Sequence, residues 1–168
     1  MHRLLDDRPN GDAFDRLQRF AAAQQDDGAL SIASRSDHGS IGRQDWWSVA
    51  GGESAYIAVD PTNPDITYGG GYMGEIWRQD LRTKHERNVA TGLDNYDGWA
   101  AGEVPERFAW TFPLFFSPHD PKTLYTASQH LFRSTNGGAH WSELHAPLSS
   151  FGIWMLGPAL LHFGTEGQ

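Results

Sequence analysis

A chain of 168 residues, 39% apolar and 12% aromatic, is long enough for one domain with its own core, and its formal charge of −8 argues against a basic nucleic-acid face. With no Cys, disulfides, thiolate metal sites and cysteine nucleophiles are excluded; no apolar run reaches membrane-spanning length. The 19 Gly, 9 Pro and 7 Trp suit many short strands better than long helices.

In chain order, residues 1–16 carry the acidic pair Asp6-Asp7 and the turn-forming run Pro9-Asn10-Gly11, and read as a loose arm or short helix. They lack the uninterrupted apolar core of a signal peptide, so any export signal is expected outside this chain. The main body is expected over residues 17–147. The stretch Phe14 to Ala23, which spans this boundary, sets the helix propensity of its alanines against the strand that a repeat architecture demands, and the strand is the expectation. Gln24 to Ala29, QQDDGA, is a tight acidic turn: Asp26 and Asp27 can cap backbone amides, and Gly28 is free to take a left-handed conformation.

An aromatic strand around Trp47 then leads into Gly51-Gly52-Glu53, a turn that starts the strand YIAV. If that strand is innermost in its sheet, Glu53 either faces a ligand, a cation or a sugar hydroxyl, or accepts hydrogen bonds from its own loop. The next segment contains an internal repeat. In DPTNPDITY, Pro61, Pro64 and Tyr68 recur 57 positions later as Pro118, Pro121 and Tyr125 of SPHDPKTLY. Strand residues precede both copies, YIAV and PLFF, and the aromatic-Arg pairs Trp77-Arg78 and Phe132-Arg133 follow them. A repeat of roughly 40 to 55 residues built from short strands points to propeller blades or another stacked array.

Between the copies, GGGYMGEIWRQDLRTKHERNVA reads as strand, glycine-permitted turn and strand, with Asp80-Leu81-Arg82-Thr83 closing a polar hairpin. The longer insertion that follows carries Tyr96, Trp99 and Trp110 with the acids Asp94, Asp97, Glu103 and Glu106. Long aromatic and acidic loops are where ligands commonly bind, although packing between blades is the expected use of Trp110 and Phe112.

From Leu114 to Trp141 three short strands lead into STNGGAHW, where Ser134, Asn136, Gly138 and Trp141 fall at the spacing Ser-x-Asp/Asn-x-Gly-x-x-Trp. Asn136 can hydrogen-bond the backbone of its own turn, Gly137 and Gly138 can take positive φ, and Trp141 restarts a strand, its indole folded back on the turn. This motif resembles the Asp-box of bacterial-neuraminidase-type repeats, with Asn136 where Asp is commoner. QQDDGA is similar to the QDNG-type turn of sortilin-like propellers in that superfamily, with Asp27 in place of the usual Asn. The resemblance implies an all-β fold, a partial propeller of about three blades made of short antiparallel four-stranded sheets. Closed propellers take about four to eight blades, so further blades, a completing polypeptide or self-association through open edges are expected. It also implies export to the periplasm or the medium. The tail, 148–168, departs from the family: Phe151 to Phe163 is apolar and interrupted by Gly157-Pro158.

No HExxH pair, phosphate-cradling glycine loop or GxGxxG before a helix is present, so no metal or cofactor is expected. Gly52-Glu53-Ser54-Ala55-Tyr56 lacks the final Gly of a nucleophile elbow. The leading expectation is a binding or scaffold module for a protein or carbohydrate ligand, using Gln25, Asp26, Asp27, Glu53, Trp99 and Glu103. The alternative, by distant similarity to xyloglucanase-type propellers, is part of a glycoside hydrolase with Asp27 and Glu53 as candidate carboxylates. Such chemistry needs two acids at about 5 to 9.5 Å.

Overall fold

The computed structural model describes residues 19–36, 39–54, 56–92, 96, 98–100 and 102–144. The arm 1–16 and the tail 148–168 lie outside the described residues, as do Asp37, Asp94 and Asp97.

Among the described residues, apart from two single 3-10 turns, Arg43–Asp45 and Tyr72–Gly74, the regular structure is all strand. The three sheets are antiparallel meanders, each built from consecutive strands. The first holds β1 (Arg19–Gln24), β2 (Gly28–Ala33) and β3 (Trp46–Ser48); the second holds β4 (Ile57–Val59), β5 (Ile66–Gly70), β6 (Ile76–Asp80) and β7 (His85–Asn88). The third holds β8 (Leu114–Phe116), β9 (Leu124–Ala127), β10 (Leu131–Ser134) and β11 (Ser142–Leu144). Two sheets thus have the expected four strands, and the first has three among the described residues. β4 lies against β8, and β1 against β4 much as β5 lies against β8, so the sheets follow one another side by side. The architecture is a partial β-propeller of three blades.

Residues 19–24 form a strand despite their alanines. Ala21 and Ala23 pair with Ser31 and Ala29 of β2, and burial of those two partners is available only to an extended chain that alternates its faces.

The sequence repeat is a repeat of register. Ala58 faces Tyr68, which faces Arg78; 57 positions on from the first two, Phe115 faces Tyr125, which faces Arg133. The turns before the tyrosine strands also match. Asp60 Oδ1 accepts the Thr62 and Asn63 amides (2.8 and 3.2 Å), and Ser117 Oγ accepts those of His119 and Asp120 (3.1 and 3.2 Å). Backbone bonds from Asp60 to Ile66 (2.9 Å) and from Ser117 to Thr123 (2.8 Å) close both turns, whose prolines cannot extend a ladder. In the second copy a hydrogen bond from the Thr123 hydroxyl (2.6 Å), then one from the Lys122 amide (3.0 Å), holds the Asp120 carboxyl below its usual range.

The larger core fills the space between the second and third sheets, with Ile66, Tyr68, Ile76, Val89, Phe112, Leu114 and Leu124 buried and Phe108, Phe116 and Trp141 packed on them. A smaller one, Ala29, Val49 and Leu81 with Trp47 and Ile57, joins the first sheet to the second. Burial raises the Tyr68 phenol above its ordinary 10.0, against the lowering effect of its bond from Arg78 Nε (3.2 Å). Below pH 10.0 the phenol is protonated in both folded and unfolded chains; above it only the unfolded chain releases the proton, so stability falls as pH rises. Denaturant midpoints measured upward from pH 10.0 should decline, and Tyr68→Phe should flatten that decline.

The Ser134–Trp141 turn locks the third sheet to the second. Ser134 Oγ accepts the Gly138 amide (2.9 Å) and donates to Asn136 Oδ1 (3.0 Å), which accepts the His140 amide (2.9 Å). Gly137 and Gly138 have φ of 67° and 79°, as the turn requires. The indole does more than cover its own turn: Trp141 Nε1 donates to the Val89 carbonyl at 2.7 Å, while Gly138 packs on the Val89 side chain. Trp141→Phe should cost about 1 kcal/mol by orphaning that carbonyl. Trp141→Ala should cost about 3 kcal/mol or more in chemical denaturation.

Candidate functional site

The site begins with a close backbone approach. The chain leaving β3 crosses β5 at Gly69, where an added Cβ would lie 1.9 Å from the Ala50 carbonyl oxygen and 2.6 Å from Gly51 Cα. Gly51 itself has φ of 105°, and the Gly52 amide donates to the Gly70 carbonyl at 2.8 Å. Only glycines allow this crossing. It delivers Glu53 to the β1–β2 turn.

There the Asp26 amide donates to Glu53 Oε2 at 2.5 Å, and Asp26 holds φ of 65°. Of the two uses expected for Glu53, acceptance of hydrogen bonds is what the structure shows, but from the β1–β2 turn, 27 residues away, and not from its own loop. A carboxylate accepting a backbone amide is a strong, orienting contact. Asp27 is exposed on the same turn, and its amide closes the turn on the Gln24 carbonyl at 3.1 Å.

One segment, residues 105–112, runs past three hairpin turns. At the β9–β10 turn, Arg107 N–H donates to Gln129 Oε1 (2.7 Å) and Gln129 Nε2 to the Pro105 carbonyl (2.6 Å). At the β5–β6 turn the Phe108 ring sits against Gly74, φ 89°, where a Cβ would meet it at 2.2 Å, and it stacks edge-on against Phe112. Trp110 then lies on Tyr72, ring centroids 4.9 Å apart and tilted by 47°, and donates its indole N–H to Gln25 Oε1 on the β1–β2 turn at 3.3 Å.

Phe112 has the packing role expected of it, fully buried. Trp110 does not: it is 58% exposed, beside Tyr72 at 45% and Met73 at 41%. The structure therefore gathers Gln25, Asp26 and Glu53 with two aromatic residues that the sequence left out of the site. The paired Gly-rich and aromatic character of GGGYMG was the available signal for Tyr72. Trp99 and Glu103 occupy a loop of their own, where Trp99 meets Tyr96 edge-on at 5.5 Å and Glu103 Oε2 accepts the Ala100 amide at 3.4 Å. Ser134, Asn136, Gly138 and Trp141 belong to the locking turn described above.

Chemically, the gathered group offers a tilted pair of exposed rings bordered by a side-chain amide and carboxylates. Among the described residues, no group of three or more His, Asp or Glu is placed to hold a metal ion, and no helix is long and apolar enough to cross a membrane.

No protein-family model and no curated protein matches the chain. Among solved structures, the chain is similar to the crystal structure of a GH74 xyloglucanase from Xanthomonas campestris, with a TM-score of 0.46 and 23% sequence identity. The similarity covers 76% of this chain and 19% of that one, so the chain spans about a fifth of that structure's length.

Proposed function

We propose that this chain is part of a propeller binding module that holds carbohydrate on the face bearing the Tyr72–Trp110 ring pair. The observation that carries the reading is that pair, exposed and pinned by the indole bond to Gln25. A sugar ring has one apolar C–H face, which stacks on an aromatic surface, and a rim of hydroxyls that an amide and carboxylates can bond. Gln25, Asp26, Asp27 and Glu53 supply the polar rim; Trp99 and Glu103 extend it only if their loop closes over a longer ligand.

We infer further that the chain's repeats are of the sortilin-like, neuraminidase-repeat kind. The bonding of Ser134 and Asn136 and the positive φ of Gly137 and Gly138 are what an Asp-box turn of a sortilin-like or neuraminidase-repeat propeller needs. The outer edges of the blades are then met by further blades or a second polypeptide.

The test is calorimetric titration of the chain with cellohexaose, alongside an assay for released reducing sugar. Binding without turnover supports the module. Turnover that disappears in Glu53→Gln or Asp27→Asn would replace it with paired-carboxylate hydrolysis, and absence of binding would remove the carbohydrate reading.

A further inference from the structure

Segment 105–112, which carries Trp110, is held at its other end by an ionisable cluster. His130 Nδ1 lies 3.1 and 3.3 Å from the two oxygens of Glu106, and the Ser128 hydroxyl donates to Glu106 Oε2. The His130 amide donates back to Ser128 Oγ at 3.0 Å. On the far side of the ring, Nε2 faces Glu143 Oε1 of β11 at 4.0 Å, and the Phe132 ring stands edge-on at 6.4 Å. His130 and Glu106 are both partly shielded from water.

We propose that His130 is a proton-driven clasp that regulates how firmly segment 105–112 holds Trp110 over the ligand face, an inference that rests on the binding role given to that ring. A neutral imidazole with its proton on Nδ1 makes one donation, to Glu106, and turns a lone pair toward the Glu143 carboxylate. When Nε2 takes a proton from solvent, the ring becomes a cation between two anions, keeping its donation to Glu106 and gaining an ion pair with Glu143 at 4.0 Å. Nothing else is transferred. Acidification therefore tightens the clasp, and raising the pH loosens it.

The path from clasp to ring is a run of packed groups. Glu106 fixes the strip that also carries the Arg107 amide bond to Gln129; Phe108 seats that strip on Gly74 and Phe112; Trp110 follows onto Tyr72. A looser strip lets Trp110 leave Tyr72 and Gln25, and a ligand that needs the ring in place then spends binding energy to restore it.

The test follows the Trp110 indole N–H resonance, identified by its loss in Trp110→Phe, and the exchange protection of the Arg107 amide in the 15N-labelled chain. The pH runs from about 8 down to about 5, the interval in which histidines gain charge. The expected result is one sigmoidal shift of the indole signal, about fivefold higher protection of Arg107 at the acid end, and about fivefold tighter cellohexaose binding there. His130→Gln should abolish all three pH effects. Glu143→Gln, at an exposed position on an outer strand, should shrink them to about twofold or less. An indole signal and an amide that ignore this pH interval, or respond as strongly in both variants, overturn the clasp. Failure to bind cellohexaose at either pH, with the two NMR responses present, instead overturns the binding reading and leaves the clasp standing.

Discussion

Gly69→Ala should lower the thermal midpoint by roughly 6 to 12 °C, as expected for about 3 kcal/mol of overpacking in a chain of this length. Gly69 lies inside β5, paired with Ile57 on one side and Trp77 on the other, so it cannot slide along its ladder to make room. The atoms a methyl would strike, the Ala50 carbonyl and Gly51 Cα, are backbone, and the same crossing is held by the Gly52 amide on the Gly70 carbonyl. Relief requires moving the whole 49–53 strand exit, which carries Val49 of the smaller core and Glu53 of the site. Gly102→Ala is the matched control: no atom lies within 4 Å of its added methyl, and it should change stability by no more than roughly 0.5 kcal/mol. Differential scanning calorimetry of the two variants separates a steric cause from a general loss of glycine flexibility.

Trp110→Ala should weaken cellohexaose binding about thirtyfold, equivalent to about 2 kcal/mol, while leaving the thermal midpoint within roughly 2 °C. The two effects part because Trp110 is mostly exposed, so its removal opens no cavity, whereas it supplies most of one ring surface to a ligand. Trp110→Phe keeps a ring on Tyr72 but gives up the bond to Gln25, and should fall between the two. Gln25→Ala should resemble Trp110→Phe, since it frees the indole from the same contact. Calorimetric titration of the set against circular-dichroism melting curves distinguishes lost contact area from lost folding.

Much of the fold was legible because its signals are local or periodic. The Pro-x-x-Pro-x-x-x-Tyr spacing survives in both copies since each proline turn must return the chain to the same register, and the register pairs of Tyr68 and Tyr125 follow from it. The Ser134–Trp141 turn was readable for the same reason: its donors and acceptors lie within a few residues of one another. The site was only half legible. Asp26 and Glu53 each looked like turn residues, but their mutual bond depends on how two sheets meet, and that meeting depends on Gly69 lacking a side chain. Trp110 was misplaced because a tryptophan near a buried phenylalanine reads as core. What exposes it is its seat on Tyr72 and Gln25, the latter 85 residues away, which no spacing rule records.

The most direct measurement is an NMR titration of the 15N-labelled chain with cellohexaose, reading the tryptophan indole signals. The Trp110 signal should move progressively and saturate, with amides of the β1–β2 turn moving alongside it, while the Trp141 indole, committed to the Val89 carbonyl, stays still. A titration that leaves Trp110 unmoved, or shifts Trp141 instead, would contradict a carbohydrate-binding face at the Tyr72–Trp110 pair.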